Sequence, residues 1–217
     1  MENPATAGHS VARNSIILGI FAMVTVGLIA VTQQSTADRI AEEIRRAQMS
    51  ALTEILPDEQ HDNDMLNDTF VVDDREFLNL RGPAEAYRGR QDGEVVAVIL
   101  PVVAPDGYSG RIDLLVGIRA NSELAGVRVL NHRETPGLGD KVELAKSEWI
   151  LSFDGKSLSM PAPENWGVRK DGGAFDQFTG ATITPRAVVQ AVYRALQYFD
   201  ENRDSLLELS NQEPANG

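Results

Sequence analysis

A run of sixteen uncharged residues near the N-terminus restricts this chain more than any other feature. It extends from Ile16 to Val31 and reads IILGIFAMVTVGLIAV, with Thr25 as its only polar residue. Polar neighbours at both ends extend it to about 20 residues, the length that a helix needs to cross a bilayer. A segment that is apolar on every face would be hard to cover in a small soluble core. We therefore predict a transmembrane helix over residues 15–33.

The charges around this run indicate how it would be oriented. Arg13 precedes it, whereas Asp38 is the first charge after it and Arg39 follows. This small asymmetry favours an N-terminus inside, with residues 1–14 as a cytoplasmic tail and the main domain outside. The alternative is a cleaved signal peptide, because Ser35-Thr36-Ala37 resembles a cleavage site made of small residues. The apolar run is longer than a typical signal core, which favours an uncleaved anchor.

Composition excludes several classes of function. The chain carries 32 acidic and 20 basic side chains, a formal net charge of −12. An acidic surface argues against nucleic acid as a partner and against charge-driven docking on anionic lipid. The absence of cysteine rules out disulfides, iron–sulfur ligation and thiol chemistry. The three histidines show no metal-binding spacing, so any redox centre would have to be an organic cofactor.

Residues 34–68 are predicted to form an amphipathic helix and an acidic connector. Apolar residues recur at helical spacing from Thr36 to Leu56, and Pro57 ends the pattern. Residues 57–68 read PDEQHDNDMLND and are interpreted as a solvated loop. A calcium site is the alternative for so many carboxylates, but the EF-hand spacing and its glycine are missing.

The remaining pattern predicts an α+β fold. Segments rich in Val, Ile and Leu, bounded by turn residues, predict strands at Thr69–Asp73, Glu94–Val103, Arg111–Ile118 and Gly126–Asn131. Helical patterns lie near Val142–Leu151 and Pro185–Phe199. We expect the N-terminal transmembrane helix to be followed by one mostly antiparallel, mixed domain over residues 69–205. A flexible C-terminal tail is expected over residues 206–217.

The segment from Asp176 to Pro185, DQFTGATITP, is the first candidate for chemistry. Gly180 and Ala181 would let a bulky group approach the backbone. Thr184 followed by Pro185 predicts a helix start, with Thr184 as the N-cap. The threonines before that start would lie where unpaired amides and the helix dipole favour an anion, so a phosphate would suit Thr182. The alternative is an ordinary capping loop.

The second candidate is the segment 132–139, HRETPGLG. Pro136-Gly137 predicts a tight turn whose exposed amides could bind the polar edge of a planar cofactor, while Leu138 could cover a ring face. An ordinary loop is the alternative. A dinucleotide fingerprint is excluded because position 142 is Val rather than Gly. His132 and Glu134 suggest acid–base chemistry, but we interpret them as residues that orient the loop or face solvent.

These two segments and a third carry a family resemblance. DQFTGATITP resembles the flavinylation signature of the FMN-binding domain family, and HRETPGLG resembles its HxETPGLG segment. Gly107-Tyr108-Ser109-Gly110 resembles the glycine turn that leads into a central strand of the family. The family includes the G subunit of the Rnf (or Rsx) electron transport complex and the C subunit of the sodium-pumping NADH:quinone oxidoreductase. The first of these two is the closer resemblance.

The resemblance implies a covalent flavin. FMN would be bonded through a phosphoester to Thr182, and a flavin transferase would install it from FAD after recognising Asp176. Thr179 occupies a position that is often Ser in the family. The cofactor-binding residues implied by the matched segments are Asp176, Thr179, Gly180, Ala181, Thr184, Glu134, Thr135, Gly137 and Leu138.

The resemblance also implies a role and a location. The chain would be an electron-relay subunit of an ion-translocating, ferredoxin- or NAD-linked redox complex in a bacterial inner membrane. The bilayer and the other membrane subunits of the Rnf complex would be its partners, and its main domain would be periplasmic. Two alternatives are a membrane-anchored module that binds FMN or a phosphate ligand non-covalently and an assembly subunit without a cofactor.

Overall fold

The N-terminal region forms a single long helix, α1, from Pro4 to Ile55. The structure, a computed structural model, describes residues 4–208. Arg13–Ala37 of α1 is long and apolar enough to cross a membrane, and an 18-residue window within it has a mean hydropathy of 2.4. Its large apolar side chains are exposed, as the 69 % exposure of Phe21 illustrates. The predicted transmembrane and amphipathic helices are therefore one continuous helix, and the terminal stretches 1–3 and 209–217 of the predicted tails lie outside the described residues.

The chain divides into two compact units, one up to Ala47 and one from Gln48. The second unit contains a five-stranded antiparallel sheet in which every strand pairs with its sequence neighbour. The strands are β1 (Thr69–Val72), β2 (Ala84–Gln91), β3 (Glu94–Gly107), β4 (Gly110–Arg119) and β5 (Leu124–Asn131). The sheet and the helices around it confirm the predicted α+β class.

Strand β2 was not predicted from the sequence. Its residues, AEAYRGRQ, lack the Val and Ile that indicate strands. Four of them, from Ala86 to Gly89, are nevertheless buried because β2 lies between β1 and β3. The aliphatic part of Arg88 is covered while its guanidinium pairs with Asp68, with 3.1 Å between Nη1 and Oδ1. Tertiary pairing thus overrides a weak local preference.

The sheet is covered on both faces, and the alternation of side chains along β3 shows it. Val98 and Leu100 belong to one apolar cluster, which includes the second long helix, α2 (Ile183–Glu208). Ala97 and Ile99 belong to the other cluster. That second cluster contains Leu52 and Ile55 at the end of α1 and Leu56, which directly follows the helix. The period of two in β3 therefore separates two layers of packing.

The acidic connector after α1 differs from the solvated loop that was predicted. Met65 is only 2 % exposed, and a 3-10 turn forms at Asp58–Gln60. The carboxylate of Asp68 accepts hydrogen bonds from Arg88 and Arg90 on β2. The end of the connector is therefore fixed to the sheet, because Asp68 has two cationic partners on the strand that the sequence did not predict.

The C-terminal helix is longer than predicted, and the region before it is less helical. Helix α2 extends to Glu208, whereas the sequence predicted its end at Phe199 and a flexible tail from residue 206. Leu206 is 3 % exposed, since it packs on the core. The helix predicted near Val142–Leu151 is replaced by two short 3-10 turns, Gly139–Val142 and Glu148–Phe153. The latter turn places Phe153 in an aromatic cluster with Trp149, Trp166 and Phe175.

Candidate cofactor site

A cavity of about 630 Å³ lies where the start of α2 meets the 134–139 loop and the β3–β4 turn. Its volume is within the range of small-molecule and cofactor sites. Residues from four segments line it: Tyr108; Glu134, Thr135, Leu138 and Gly139; Lys170; and Gly180, Ala181, Thr182, Ile183 and Thr184. The structure therefore brings the two candidate segments together around one space, although they are separated by about forty residues of sequence.

Thr182 is the residue that caps the start of α2. Its carbonyl accepts the hydrogen bond from the backbone N–H of Arg186, at 3.3 Å, which is the first bond of the helix. The prediction that Thr184 is the N-cap is therefore wrong by two residues. Pro185 then lies in the first turn, where its missing N–H costs no helical bond. The side chain of Thr182 is half-buried on the cavity wall.

Thr184 is not a cap because its hydroxyl has another partner. It is fully buried, and it donates a short hydrogen bond to Oε2 of Glu134, which is 5 % exposed. The other carboxylate oxygen, Oε1, accepts from the backbone N–H of Ser109 at 2.9 Å. Glu134 thus joins α2 to the β3–β4 turn. Gly139 makes room for this pair, since a Cβ there would lie 2.7 Å from Oε2 of Glu134.

His132 orients the loop, in agreement with the interpretation of the sequence. Its Nδ1 accepts a hydrogen bond from the backbone N–H of Glu134 at 2.9 Å. Nδ1 is therefore unprotonated, and the ring proton lies on Nε2, which is 2.5 Å from Oε1 of Glu143. Through these two bonds, His132 connects the backbone of Glu134 to the side chain of Glu143. The first bond fixes the backbone from which the side chain of Glu134 extends.

Two backbone amides of this loop are already used within it. The N–H groups of Leu138 and Gly139 both donate to the carbonyl of Thr135, at 3.1 Å each. The prediction that these amides are exposed for a planar cofactor is therefore wrong. The reason is the turn itself, which closes through Gly137 with a φ of 79°. The side chain of Leu138 does line the cavity, and it is 42 % exposed.

Three of the predicted binding residues do not line the cavity: Asp176, Thr179 and Gly137. Asp176 is exposed, and its carboxylate lies 3.0 Å from Nη1 of Arg169. Its carbonyl accepts from the indole N–H of Trp149 at 2.8 Å, which fixes the start of the 176–182 segment. The side chain of Thr179 is exposed as well.

Four residues that line the cavity were not among the predicted binding residues. Tyr108 and Gly139 lie inside segments that the sequence had singled out, so adjacency to those motifs could have indicated them. Ile183 directly follows Thr182. Lys170 had no such signal, because only the fold brings it to the cavity.

An ion pair connects the 3-10 turn that contains Lys170, Arg169–Asp171, to α2. Asp171, its neighbour, accepts two hydrogen bonds from Arg186, from Nε at 2.7 Å and from Nη2 at 2.9 Å. These bonds lower the pKa of Asp171 and raise that of Arg186. The backbone N–H of Lys170 also donates to Oε1 of Gln177 at 3.2 Å. A cation is thereby held at the cavity beside the start of α2.

The lining fits a flavin nucleotide. The first turn of the 26-residue helix α2 presents N–H groups without acceptors in the helix, and its dipole favours a phosphate near Thr182. Lys170 adds a positive charge. Leu138, Ile183 and Tyr108 supply apolar and aromatic surface for a flat ring. Gly180 has a φ of 81°, a conformation that a residue with a side chain would adopt only with strain.

The comparison with known proteins first defines the class. Residues 107–197 match the family described as the FMN-binding domain, and residues 1–55 match the family described as the RnfG N-terminal region. The chain is thus an FMN-binding domain preceded by a helix that is long and apolar enough to cross a membrane.

Curated relatives then identify the particular family. The chain is 55 % identical over 203 residues to the G subunit of the ion-translocating oxidoreductase complex of Pseudomonas aeruginosa (strain PAO1), covering 94 % of this chain and 95 % of the relative. The proteins of the same name from Shewanella loihica and Vibrio cholerae are 48 % and 44 % identical, with 92 % and 91 % of this chain covered and 94 % of each relative. The chain belongs to the family of G subunits of ion-translocating oxidoreductase complexes, which confirms the resemblance seen in the sequence.

Proposed function

We propose that this chain carries FMN covalently, through a phosphoester to Oγ1 of Thr182, and relays electrons within an ion-translocating oxidoreductase complex. The observation that carries the proposal is the position of Thr182. It caps the N-terminus of α2 and its side chain lines the cavity, so a phosphate bonded to it would lie at the positive end of a helix. Lys170 lines the same cavity and would add a second source of positive charge.

The attachment reaction would form one phosphorus–oxygen bond and break another. The oxygen of Thr182 would form a bond to the flavin-side phosphorus of FAD, and the bond between the two phosphates of FAD would break. AMP would leave, and the hydroxyl proton of Thr182 would pass to solvent or to a base of a flavin transferase. The exposed side chains of Asp176 and Thr179 remain open to that enzyme, which suits them to recognition better than to holding the flavin.

In the redox chemistry, this chain would bind FMN and set its reduction potential. FMN, when bound, exchanges one or two electrons, so it can connect centres of either type. A phosphoester leaves the ring unsubstituted, so the surrounding hydrogen bonds, charges and apolar surface would set its potential. Leu138 and Ile183 would exclude water from the ring. The buried Glu134 and Thr184 hold the loop and the helix at a fixed distance from each other.

We propose further that Arg13–Ala37 spans the inner membrane uncleaved, with the FMN-binding domain in the periplasm and the other subunits of the complex as partners. The helix at this position is of sufficient length, because 25 residues correspond to about 38 Å and the hydrocarbon core is about 30 Å thick. Cysteines introduced singly at Ser10 and Ser122 would test the topology in intact cells. A membrane-impermeant thiol reagent should label position 122 and leave position 10 unlabelled, and the reverse pattern would exclude the proposed orientation.

The covalent bond is tested by the intact mass of denatured protein produced together with a flavin transferase. Wild-type protein should gain the mass of one FMN less one water, and Thr182→Val should gain nothing. Thr69→Val is the matched control, because it makes the same substitution on β1, at a residue that does not line the cavity. Flavin that copurifies but leaves on denaturation would show a non-covalent module, and protein without any flavin would show an assembly subunit; either result would refute the proposed bond.

A further inference from the structure

A second cavity, of about 660 Å³, lies beside the first and has a different character. Three arginines line it, Arg75, Arg81 and Arg111, and no carboxylate of residues 4–208 is part of its lining. This arrangement is unexpected in a chain with a formal net charge of −12. The β3–β4 turn takes part in both cavities, since Tyr108 lines the first and Gly110 lines the second.

The positive charge of this cavity is only partly neutralised. Arg111 pairs with Asp113, to which both its Nε and its Nη2 donate. Arg75 and Arg81 form no hydrogen bond or ion pair with any residue that the structure describes. Three guanidinium groups therefore face one carboxylate. A dianion would match this excess, and guanidinium groups bind phosphate oxygens in pairs.

An unused donor lies among these arginines. Asn79 lines the cavity, and its Nδ2 is buried without a hydrogen-bond partner among the described residues. A buried donor without an acceptor costs about 1–3 kcal/mol, so such groups usually have a partner. Asn79 also has a φ of 54°, in the left-handed region where strain often marks functional positions.

The walls of the cavity are rigid and partly apolar. Leu80, Val103 and Pro105 line it, and the first two are less than 10 % exposed. The loop that carries Asn79 is tied to β3 by the hydrogen bond from Val103 N–H to the carbonyl of Leu78, at 2.9 Å. Within the loop, the carboxylate of Asp74 accepts from the N–H groups of Phe77 and Leu78. The cavity is therefore formed before any ligand arrives, which reduces the entropic cost of binding.

From these observations we infer that the second cavity binds a soluble organic phosphate monoester. Arg75, Arg81 and the remaining Nη1 of Arg111 would bind the phosphate, and Asn79 would donate to one of its oxygens. The apolar wall of Leu80 and Val103 would contact the organic part. Binding here does not depend on the flavin bond at Thr182, because none of these residues lines the first cavity.

The test uses the full chain in an uncharged detergent, with 4-fluorophenyl phosphate as the probe and inorganic phosphate as its competitor. Fluorine NMR should show saturable binding at low ionic strength, and salt should weaken it. Selective ¹⁵N labelling of asparagine should show a shift of the Asn79 side-chain amide. Inorganic phosphate should compete, and more weakly than the probe binds, because it has no apolar part.

Three variants and one control decide the outcome. Arg75→Gln and Arg81→Gln should each weaken binding roughly tenfold, since each removes charge-assisted hydrogen bonds. Asn79→Gly should weaken it while keeping the backbone conformation. Arg203→Gln is the matched control for charge, because Arg203 donates to the carbonyl of Ala120, beyond the opposite end of β4 from Arg111, and it should leave binding unchanged.

Two results would overturn the inference. One is the absence of saturable binding together with an unmoved Asn79 amide. The other is binding that the arginine substitutions reduce no more than Arg203→Gln does. The titration is repeated on flavin-free Thr182→Val protein, where the same affinity is expected. Binding that appears only there would place the probe in the emptied flavin cavity and would also overturn the inference, whatever the mass measurement shows for the flavin bond.

Discussion

The hydroxyl of Thr184 donates a hydrogen bond to the carboxylate of Glu134, and the two residues are separated by fifty positions in the sequence. Both side chains are buried, at 0 % and 5 % exposure. The bond joins the first turn of α2 to the loop on the other side of the cavity. It therefore fixes the helix start that carries Thr182 against the loop that carries Leu138.

Removing the hydroxyl of Thr184 should destabilise the domain, although the hydroxyl of Thr182 stays in place. Thr184→Val leaves a buried carboxylate with one donor fewer, so we expect a loss of about 1–3 kcal/mol in the free energy of unfolding. Urea titration measures it, and Thr184→Ser should recover most of the loss.

A double-mutant cycle separates this bond from a capping effect. In a Glu134→Ala background, Thr184→Val should cost clearly less, because the interaction between the two side chains is already absent. An equal cost in both backgrounds would show that the hydroxyl acts on the helix alone.

Gly139 should not tolerate a methyl group. In Gly139→Ala the added Cβ would lie 2.7 Å from Oε2 of Glu134 and 2.8 Å from Oγ1 of Thr184. Overpacking of this kind costs about 1–3 kcal/mol, and thermal unfolding should show a lower Tm. Gly82→Ala is the control, since no atom of the part of the chain that the structure describes lies within 4 Å of its added Cβ. If both variants unfold at the wild-type temperature, the buried pair is not packed as described.

The ion pair between Asp171 and Arg186 should be visible in an acid titration. Hydrogen bonds from Arg186 lower the pKa of Asp171 below its ordinary value of 3.8. The pair therefore contributes stability above the unfolded pKa, and this contribution is lost as the pH falls through the lower, folded pKa. Because both side chains are more than 40 % exposed, the contribution is small.

Carbonyl ¹³C NMR of Asp171 provides the measurement. Arg186→Gln should move the titration midpoint up toward the ordinary value, whereas Arg203→Gln should not move it. A midpoint that stays unchanged in Arg186→Gln would exclude this pair as the cause of the lowered pKa.

The last turn of α2 should contribute to stability. Leu206→Ala removes a side chain that is 3 % exposed, and we expect a loss of about 2–4 kcal/mol. Leu207→Ala is the comparison, since Leu207 is only partly buried and should cost less. Chemical denaturation of both variants measures the difference. A flexible tail from residue 206 would instead make the two substitutions equally harmless.

Local patterns predicted most of the strands and both candidate segments. β3, β4 and β5 are rich in aliphatic residues and bounded by turns, so their sequence preference agrees with their structure. β2 could not be predicted, because its burial comes from neighbours on both sides rather than from its own composition. The N-cap of α2 was predicted at the wrong residue for a similar reason. The pair Thr184-Pro185 resembles a cap in sequence, but the hydroxyl of Thr184 binds the distant carboxylate of Glu134.

The sequence by itself determined that this protein has a helix able to cross a membrane, and it marked Thr182 as a candidate position for a phosphate. Both follow from local properties, a long apolar run and a threonine after small residues at a helix start. Only the tertiary structure decided that Lys170 lines the cavity, that Asp176 does not, and that Glu134 binds Thr184. These depend on contacts between residues far apart in the chain, which no pattern of neighbours in the sequence can specify.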